Sequence, residues 1–481
     1  MGSAASLVGR ARERRVLAAA MASPEAELIA VYGRRRVGKT FLIRRHFEDV
    51  LYFELTGMYG GAFKVQLQHF ADALGKATGA SVRAGAPPAS WSEAFGMLAS
   101  AIERSPRRKR KRVVFIDELP WLASQRSGFL PAFEHFWNGW ASRRSDVVVV
   151  VCGSAASWMV KHLLHARGGL HNRVTRHLRL EPFSLAETRA FLEARRVAID
   201  DYQILELYMA LGGIPHYLKE IERGESAAQC IDRVCFSRTG LLGREFSHVY
   251  ASLFDDPARH ELVVRSLAKR RDGLTRNELL GATGMPSGGG MTEVLEELEA
   301  SGFVMRTPQF GRGKKDAVYR LADEHSLFHL QWIEKHRGRS EGAWLRIRGS
   351  PAWRAWSGYS FEGICLKHAD RLREALGIGG VQTEESTWRH RPGDAEDGAQ
   401  IDLVIDRKDS SINLCEMKFS EAEFAIDKAY ARSLVNKRET FRRSTGTRKS
   451  LFTTLVTTHG LAPTRHRDVA VDVALDMRAL F

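Results

Sequence analysis

The residues with the clearest chemical implication are Gly33-Arg34-Arg35-Arg36-Val37-Gly38-Lys39-Thr40, which fill every required position of a G-x-x-x-x-G-K-[ST] phosphate loop. A glycine turn that opens a helix aims several backbone N–H groups at one point, at the positive end of the helix dipole, and so suits phosphate oxygens. Gly33 to Thr40 are therefore expected to hold a nucleoside triphosphate. Lys39 should reach the β- and γ-phosphates, and the Thr40 hydroxyl should ligate Mg2+. The side chains of Arg34, Arg35 and Arg36 are expected to point away from the phosphates, toward solvent or a partner. Downstream, Val113-Val114-Phe115-Ile116 ends in Asp117-Glu118. An acid at the end of a buried strand can hold the magnesium shell while its neighbour polarises the attacking water. Asp117 is the expected metal ligand and Glu118 the expected catalytic base. Ser154, following the apolar run Val147 to Cys152, stands where a polar group from an adjacent strand would touch the γ-phosphate or the water.

A second constellation lies near the other end of the chain. Glu362 falls on a helix, Asp402 opens a strand, and Glu416-Met417-Lys418 closes the next one. Residues i and i+2 of a strand share a face, so Glu416 and Lys418 should point the same way. The short polar loop Asp406 to Ser411 would return that strand beside Asp402. Two carboxylates and an ammonium then converge, an expensive arrangement unless a divalent cation and a phosphate supply the missing partners.

The elements that must position these groups alternate between short apolar runs and helical patterns. Leu28 to Tyr32 reads as a buried strand and Phe41 to Phe47 as the opening of a helix. Val50 to Leu55 reads as a second strand, followed by helices over Lys64 to Thr78 and Trp91 to Glu103 with the loop Ala84 to Pro88 between them. Buried strands alternating with helices predict an α/β, doubly wound parallel sheet with nucleotide at the carboxyl ends of its strands. The basic run Arg107 to Arg112 reads as a solvated loop before a core strand. Residues 1–185 are expected to form the P-loop ATPase core and 186–255 a helical lid. Residues 256–325 carry helix, turn, helix and two short strands around a Gly/Lys/Arg tip, the order of a winged helix-turn-helix. In it, Gly288 to Ala300 would be the recognition helix, with Ser287, Arg312, Lys314 and Lys315 at phosphate and Thr292 nearer the bases. The same helix carries Glu293, Glu296, Glu297 and Glu299, a poor face for DNA. A helical connector, 326–350, leads to a last α/β unit, 351–481.

Bulk properties narrow the setting. With 481 residues the chain should hold two to four domains. Seventy-two Lys and Arg against 57 Asp and Glu give a formal charge of +15, which favours a polyanionic partner, nucleic acid first and DNA above RNA. Five scattered cysteines without a CxxC pair argue against structural zinc and disulfides, and suit a reducing cytoplasm. The longest apolar run, Val147 to Cys152, is too short to span a bilayer, so no membrane partner is expected.

Leu7-Val8-Gly9-Arg10, the phosphate loop, VVFIDELPWL, the Cys152-Gly153-Ser154 strand end and Gly212-Gly213-Ile214-Pro215 together resemble archaeal-type AAA/STAND ATPases, which often carry a nuclease-like C-terminal domain. The resemblance covers nearly the whole chain. It implies that Arg173, upstream of Leu180-Glu181-Pro182-Phe183, senses the γ-phosphate, in cis or across the interface of a homo-oligomer. Arg176 is the alternative for that role. It also implies that Pro215 packs on the adenine. The C-terminal constellation resembles a PD-(D/E)XK (restriction-endonuclease-like) core. That resemblance implies Asp402 and Glu416 as ligands of Mg2+ or Mn2+, Lys418 as the residue that orients and activates water, and Glu362 as the group completing the shell. Ile401 stands where that family has proline. The function implied is ATP-regulated, metal-dependent cleavage of nucleic acid. The alternative is a nucleotide-switched DNA- or protein-binding regulator whose C-terminal fold is a scaffold.

Overall fold

Three strands of the N-terminal sheet are buried along their whole length and contain unbroken apolar runs, as a strand covered on both faces requires. The computed structural model describes residues 7–79, 87–106, 109–124, 126–164, 170, 172–270, 272–336, 342–390 and 398–481, and of Lys314 the backbone alone. Within it the chain divides into two compact units, Met1–Pro182 and Phe183–Phe481.

The first unit is built on β1 (Glu27–Tyr32), β2 (Leu51–Thr56), β3 (Arg112–Asp117), β4 (Val147–Gly153) and β5 (Arg176–Arg179). Every residue of β1, β3 and β4 is buried. In β5 only Leu178 is, as suits an edge strand. All pairings are parallel, in the order β2-β3-β4-β1-β5. The strand ending in Ser154 thus lies between the one that feeds the phosphate loop and the one that ends in Asp117-Glu118. The basic run before β3 departs from expectation. Its first two residues lie outside the described residues, as do Ala84 to Ala86, but Lys111 and Arg112 are buried. Arg112 donates to Asp146 (2.8 Å), and Lys111 donates to the carbonyl oxygens of Ala20 and Glu25. These two side chains tie the amino ends of the strands together instead of facing solvent.

The second unit begins with helices, among them Leu185–Ala194, Asp201–Leu211 and Pro215–Leu218. Gly212-Gly213 has a local reason. The Phe183 amide donates to the Gly213 carbonyl at 2.6 Å, and a Cβ on Gly213 would meet the Phe183 oxygen at 1.9 Å. Only glycine allows that approach.

Next comes a small antiparallel sheet of β6 (Leu274–Thr275), β7 (Val304–Thr307) and β8 (Val318–Leu321), ordered β6-β8-β7. It packs with helices Pro257–Ala268, Arg276–Thr283 and Gly289–Ala300 around Leu267, Leu279, Leu295 and Phe303. Helix Arg276–Thr283 starts at a Thr275/Glu278 capping box and stops at left-handed Gly284, as its sequence directs.

The last sheet contains β9 (Thr383–His390), β10 (Ala399–Arg407), β11 (Ser411–Lys418), β12 (Ser450–Thr457) and β13 (Val473–Asp476), in the order β13-β12-β11-β10-β9. β9, β10 and β11 are antiparallel neighbours, and β11, β12 and β13 run parallel. Helix Lys428–Thr445 connects β11 to β12. The β7–β8 turn is not a free tip. The Phe310 amide donates to the Thr387 carbonyl and the Thr387 amide to the Pro308 carbonyl, each at 2.9 Å, so the turn pairs with edge strand β9. The Phe310 ring sits 5.0 Å from that of Phe441. Among the described residues no helix is long and apolar enough to cross a membrane.

Candidate active sites

In the first unit, Gly33 takes φ 140° and Gly38 φ 91°, and the helix Lys39–His46 begins directly after. A Cβ on Gly33 would lie 2.3 Å from the Leu180 carbonyl oxygen, while one on Gly38 would meet nothing within 4 Å. Gly33 is required for space and Gly38 for its backbone conformation. Lys39 is buried, and its ammonium donates to the carbonyls of Gly33 (2.9 Å) and Arg34 (2.8 Å), which places it inside the loop. Burial holds its pKa below the ordinary lysine value.

The Thr40 hydroxyl donates to Asp117 Oδ2 at 2.7 Å. A hydroxyl from the start of a helix and a carboxylate from the end of a strand, brought this close at the loop, form a fitting half-shell for Mg2+, which keeps several waters of its own. Glu118 occupies the left-handed region (φ 48°). Its carboxylate is held from both sides by one residue. Ser154 Oγ donates to Oε1 at 2.6 Å, and the Ser154 amide donates to Oε2 at 3.1 Å. Ser154 therefore touches the carboxylate, a different contact from the phosphate or water expected for it. The insertion of β4 beside β3 makes that contact.

Arg34 corrects the expectation of three outward arginines, for it is only 3% exposed. The Arg35 guanidinium lies 5.8 Å from the centre of the Trp121 ring. Arg10 is a contributor that the sequence marked only as part of a motif. Buried and left-handed (φ 58°), it donates to the Val37 carbonyl at 3.0 Å and so braces the loop from outside.

The places of Arg173 and Arg176 follow from β5. Strand β5 runs parallel to β1 with Arg176 beside Ile29 and Arg179 beside Tyr32, so the loop end of the sheet is the Arg179 end. Arg176 is bound to Glu27 at 3.0 Å, and the Thr175 amide reaches back to Leu28. Arg173 is exposed and lies in the turn that precedes the amino end of β5. Arg176, held by Glu27 at the amino end of β5, is thus turned away from the phosphate loop of its own subunit.

In the second unit the predicted acids do gather, but with unexpected partners. Leu403 faces Cys415 across β10 and β11, which sets Asp402 beside Glu416. The Met417 amide donates to Asp402 Oδ2 at 3.0 Å. Glu416 is 3% exposed. Its Oε2 accepts from Lys437 at 2.6 Å, and its Oε1 is buried without a partner. Burial, then the charge of Asp402, raises its pKa to about 8. Glu362 is paired with Arg320, and burial followed by Asp402 raises its pKa to about 7. Lys418 has its ammonium 5.4 Å from the Tyr430 ring centre.

Among the described residues no group of three or more His, Cys, Asp or Glu side chains is arranged to hold a metal ion. Glu362, expected to complete a metal shell, is here paired with the Arg320 guanidinium. The orphaned Glu416 oxygen beside Asp402 is still the kind of buried acceptor a two-carboxylate cation site leaves. Lys437 and Arg320 gave no sequence signal, because each reaches its acid from another element, the helix after β11 and strand β8.

The expected nucleic-acid face is only partly exposed as foreseen. Ser287, Arg312 and Lys315 are exposed, but Thr292 accepts from Arg276 at 3.0 Å, and Glu293 and Glu296 share its exposed face. The side chain of Lys314 lies outside the described residues. Pro215 is buried at the first turn of its helix.

Residues 7–221 match the family model of an ATPase domain predominantly from Archaea. An uncharacterized protein of Methanocaldococcus jannaschii is 22% identical over 435 residues, 89% of this chain and 91% of that protein. Among solved structures, a Walker-type ATPase of Pyrococcus abyssi is 17% identical with a TM-score of 0.47, covering 68% of this chain and 96% of that one. The ORC2 protein of Aeropyrum pernix, solved as ADPNP and ADP complexes, is 15% identical with a TM-score of 0.41, covering 69% and 96%. With the phosphate loop and the parallel sheet, the family match makes the N-terminal part of this chain an archaeal-type P-loop ATPase domain. That family implies a bound nucleotide and, with it, Mg2+.

Proposed function

We propose that ATP hydrolysis in the first unit regulates metal-dependent cleavage of nucleic acid, DNA above RNA, by the second. Mg2+ supplies neutralisation of the triphosphate when bound, with Thr40 and Asp117 as its protein ligands. The loop amides of Gly33 to Thr40 hold the phosphates, and the Lys39 ammonium exchanges its two carbonyl partners for β- and γ-phosphate oxygens. Glu118, fixed by Ser154, takes the proton of the attacking water. Arg173 or Arg176 contacts the γ-phosphate from a neighbouring copy, which a homo-oligomer would provide.

In the second unit, Asp402 and Glu416 hold Mg2+ or Mn2+, which polarises the phosphodiester and lowers the pKa of bound water when present. Lys418 orients that water, on the same strand face as Glu416. The single observation that carries the nuclease reading is the buried, unpartnered Oε1 of Glu416 beside Asp402. A panel of single- and double-stranded DNA and RNA with ATP and Mg2+ or Mn2+ tests it. The wild type should nick at least one substrate, and Glu416→Ala/Lys418→Ala should retain ATP turnover while losing nicking. A wild type that cuts nothing sinks the reading.

One observation favours the second reading, a nucleotide-switched regulator with a scaffold fold. Lys437 and Arg320 already compensate Glu416 and Glu362 without any metal. Under that reading nucleic-acid or protein binding changes with nucleotide state and metal changes nothing.

A further inference from the structure

A cavity of about 450 Å3 lies between the β7–β8 turn and strand β9, both in the second unit. Thr275, Gln309, Arg312, Arg320, Arg389 and Gln400 contribute to its wall. Arg320 is the informative one. It is 4% exposed and bound to Glu362, yet its Nε has no hydrogen-bond partner. A buried N–H without an acceptor is costly, so the unpartnered Arg320 Nε points to a ligand acceptor.

The wall also leads to the acid centre. Along β10, half-buried Gln400 and Asp402 alternate with buried Ala399, Ile401 and Leu403, which sets the two polar residues on one face. Arg389 stands opposite Gln400 in the register and donates to it at 3.2 Å. Arg389, Gln400 and Asp402 therefore form a polar track that ends beside Glu416.

We propose that this cavity is a subsite of the C-terminal acid centre that takes one unstacked nucleotide of a single-stranded nucleic acid. Arg320 Nε and exposed Arg312 donate to its phosphate oxygens, and the strand follows β10 toward Asp402. The inference rests on reading that centre as a nucleic-acid site. The volume falls in the range of small-ligand pockets and admits no duplex. Charge supports one phosphate over a general polyanion: Arg389 is paired with Asp272, and Glu278 caps its own helix. The neighbouring helix Gly289–Ala300, with Glu293 and Glu296 exposed, offers a duplex no comparable cation.

The test uses the full chain and end-labelled oligonucleotides of roughly 12 nucleotides, read by fluorescence anisotropy in EDTA so that nothing is cut. Single strands should bind at least 10-fold more tightly than duplex, and parallel DNA and RNA arms identify the sugar. Arg312→Glu should weaken single-strand binding at least 10-fold, and Gln400→Ala about 3-fold. Arg371→Glu, a charge reversal at a half-buried position outside the cavity, should match the wild type. Arg312 is exposed, so its variant should keep the wild-type melting temperature; Gln400→Ala is an independent second probe. A duplex preference, or equal effects at Arg312 and Arg371, overturns the subsite. Weakened binding in Arg312→Glu with a wild type that never cleaves upholds the subsite and sinks the nuclease reading. Cleavage by a wild type whose binding is untouched in Arg312→Glu does the reverse.

Discussion

The chain holds two acid centres that differ in what balances their charge. In the first, Asp117 and Glu118 are held by neutral donors, the Thr40 and Ser154 hydroxyls and the Ser154 amide. These donors fix the carboxylates without cancelling them, so their charge remains for a cation and a water. In the second, Glu416 and Glu362 are held by an ammonium and a guanidinium, and burial beside Asp402 pushes both toward protonation at neutral pH. A metal arriving there must compete with Lys437 and with protons. The lesson is that clustered acids are not equivalent sites: neutral support prepares a centre for a cation, whereas cationic support lets it persist without one.

The sharpest way to break this comparison is at Lys39. Lys39→Ala should abolish measurable ATP turnover while leaving any metal-dependent nicking in the absence of ATP unchanged; wild-type turnover would contradict the loop assignment. Glu118→Gln should reduce kcat for ATP by about 10²–10⁴ with little change in nucleotide affinity, because the lost group acts on the water. Ser154→Ala leaves the base in place but loose, and should cost about 10-fold in kcat. An unchanged rate would mean Ser154 only fills space.

A smaller effect separates the centres by pH. The folded-state pKa of Glu416 lies above its unfolded value, so its contribution to stability is greatest below about pH 4.5 and is lost as pH rises toward about 8. Glu416→Gln removes that loss, and its melting temperature should gain on the wild type as pH rises from 5 to 8. A gap that is flat with pH would show that Lys437 keeps Glu416 ionised throughout. Smallest of all, Gly38→Ala should destabilise by about 1–2 kcal/mol in chemical denaturation, the cost of a left-handed alanine. Gly33→Ala, which collides with the Leu180 carbonyl, should cost more.

The first centre was far more legible in the sequence than the second, for a physical reason. Gly33 to Thr40 act through backbone and through neighbours in one short stretch, and Asp117-Glu118 follow an unbroken apolar run. Local pattern and tertiary role coincide there. Strand β5, Arg-His-Leu-Arg, is an edge with a single buried residue, so the register that turns Arg176 away from the loop could not be read. Strand β9, Thr-Glu-Glu-Ser-Thr-Trp-Arg-His, escaped notice because its apolar content is one tryptophan. Asp402 and Glu416 were found from strand alternation, but Lys437 and Arg320 depend on how a helix and a distant strand pack onto that sheet. Burial of Arg34, Lys111 and Arg112 was equally hidden, since basic residues are ordinarily exposed.

The pairing of residues 308–310 with β9 bears on how this protein can be divided. That turn covers the open margin of the last sheet. A fragment beginning at residue 351 would leave the margin bare beside Trp388, with unsatisfied amides ready to recruit another chain. It should self-associate on purification, whereas one beginning near residue 257 should stay monodisperse. The chain's second half is then indivisible at the position where its sequence most invites a cut.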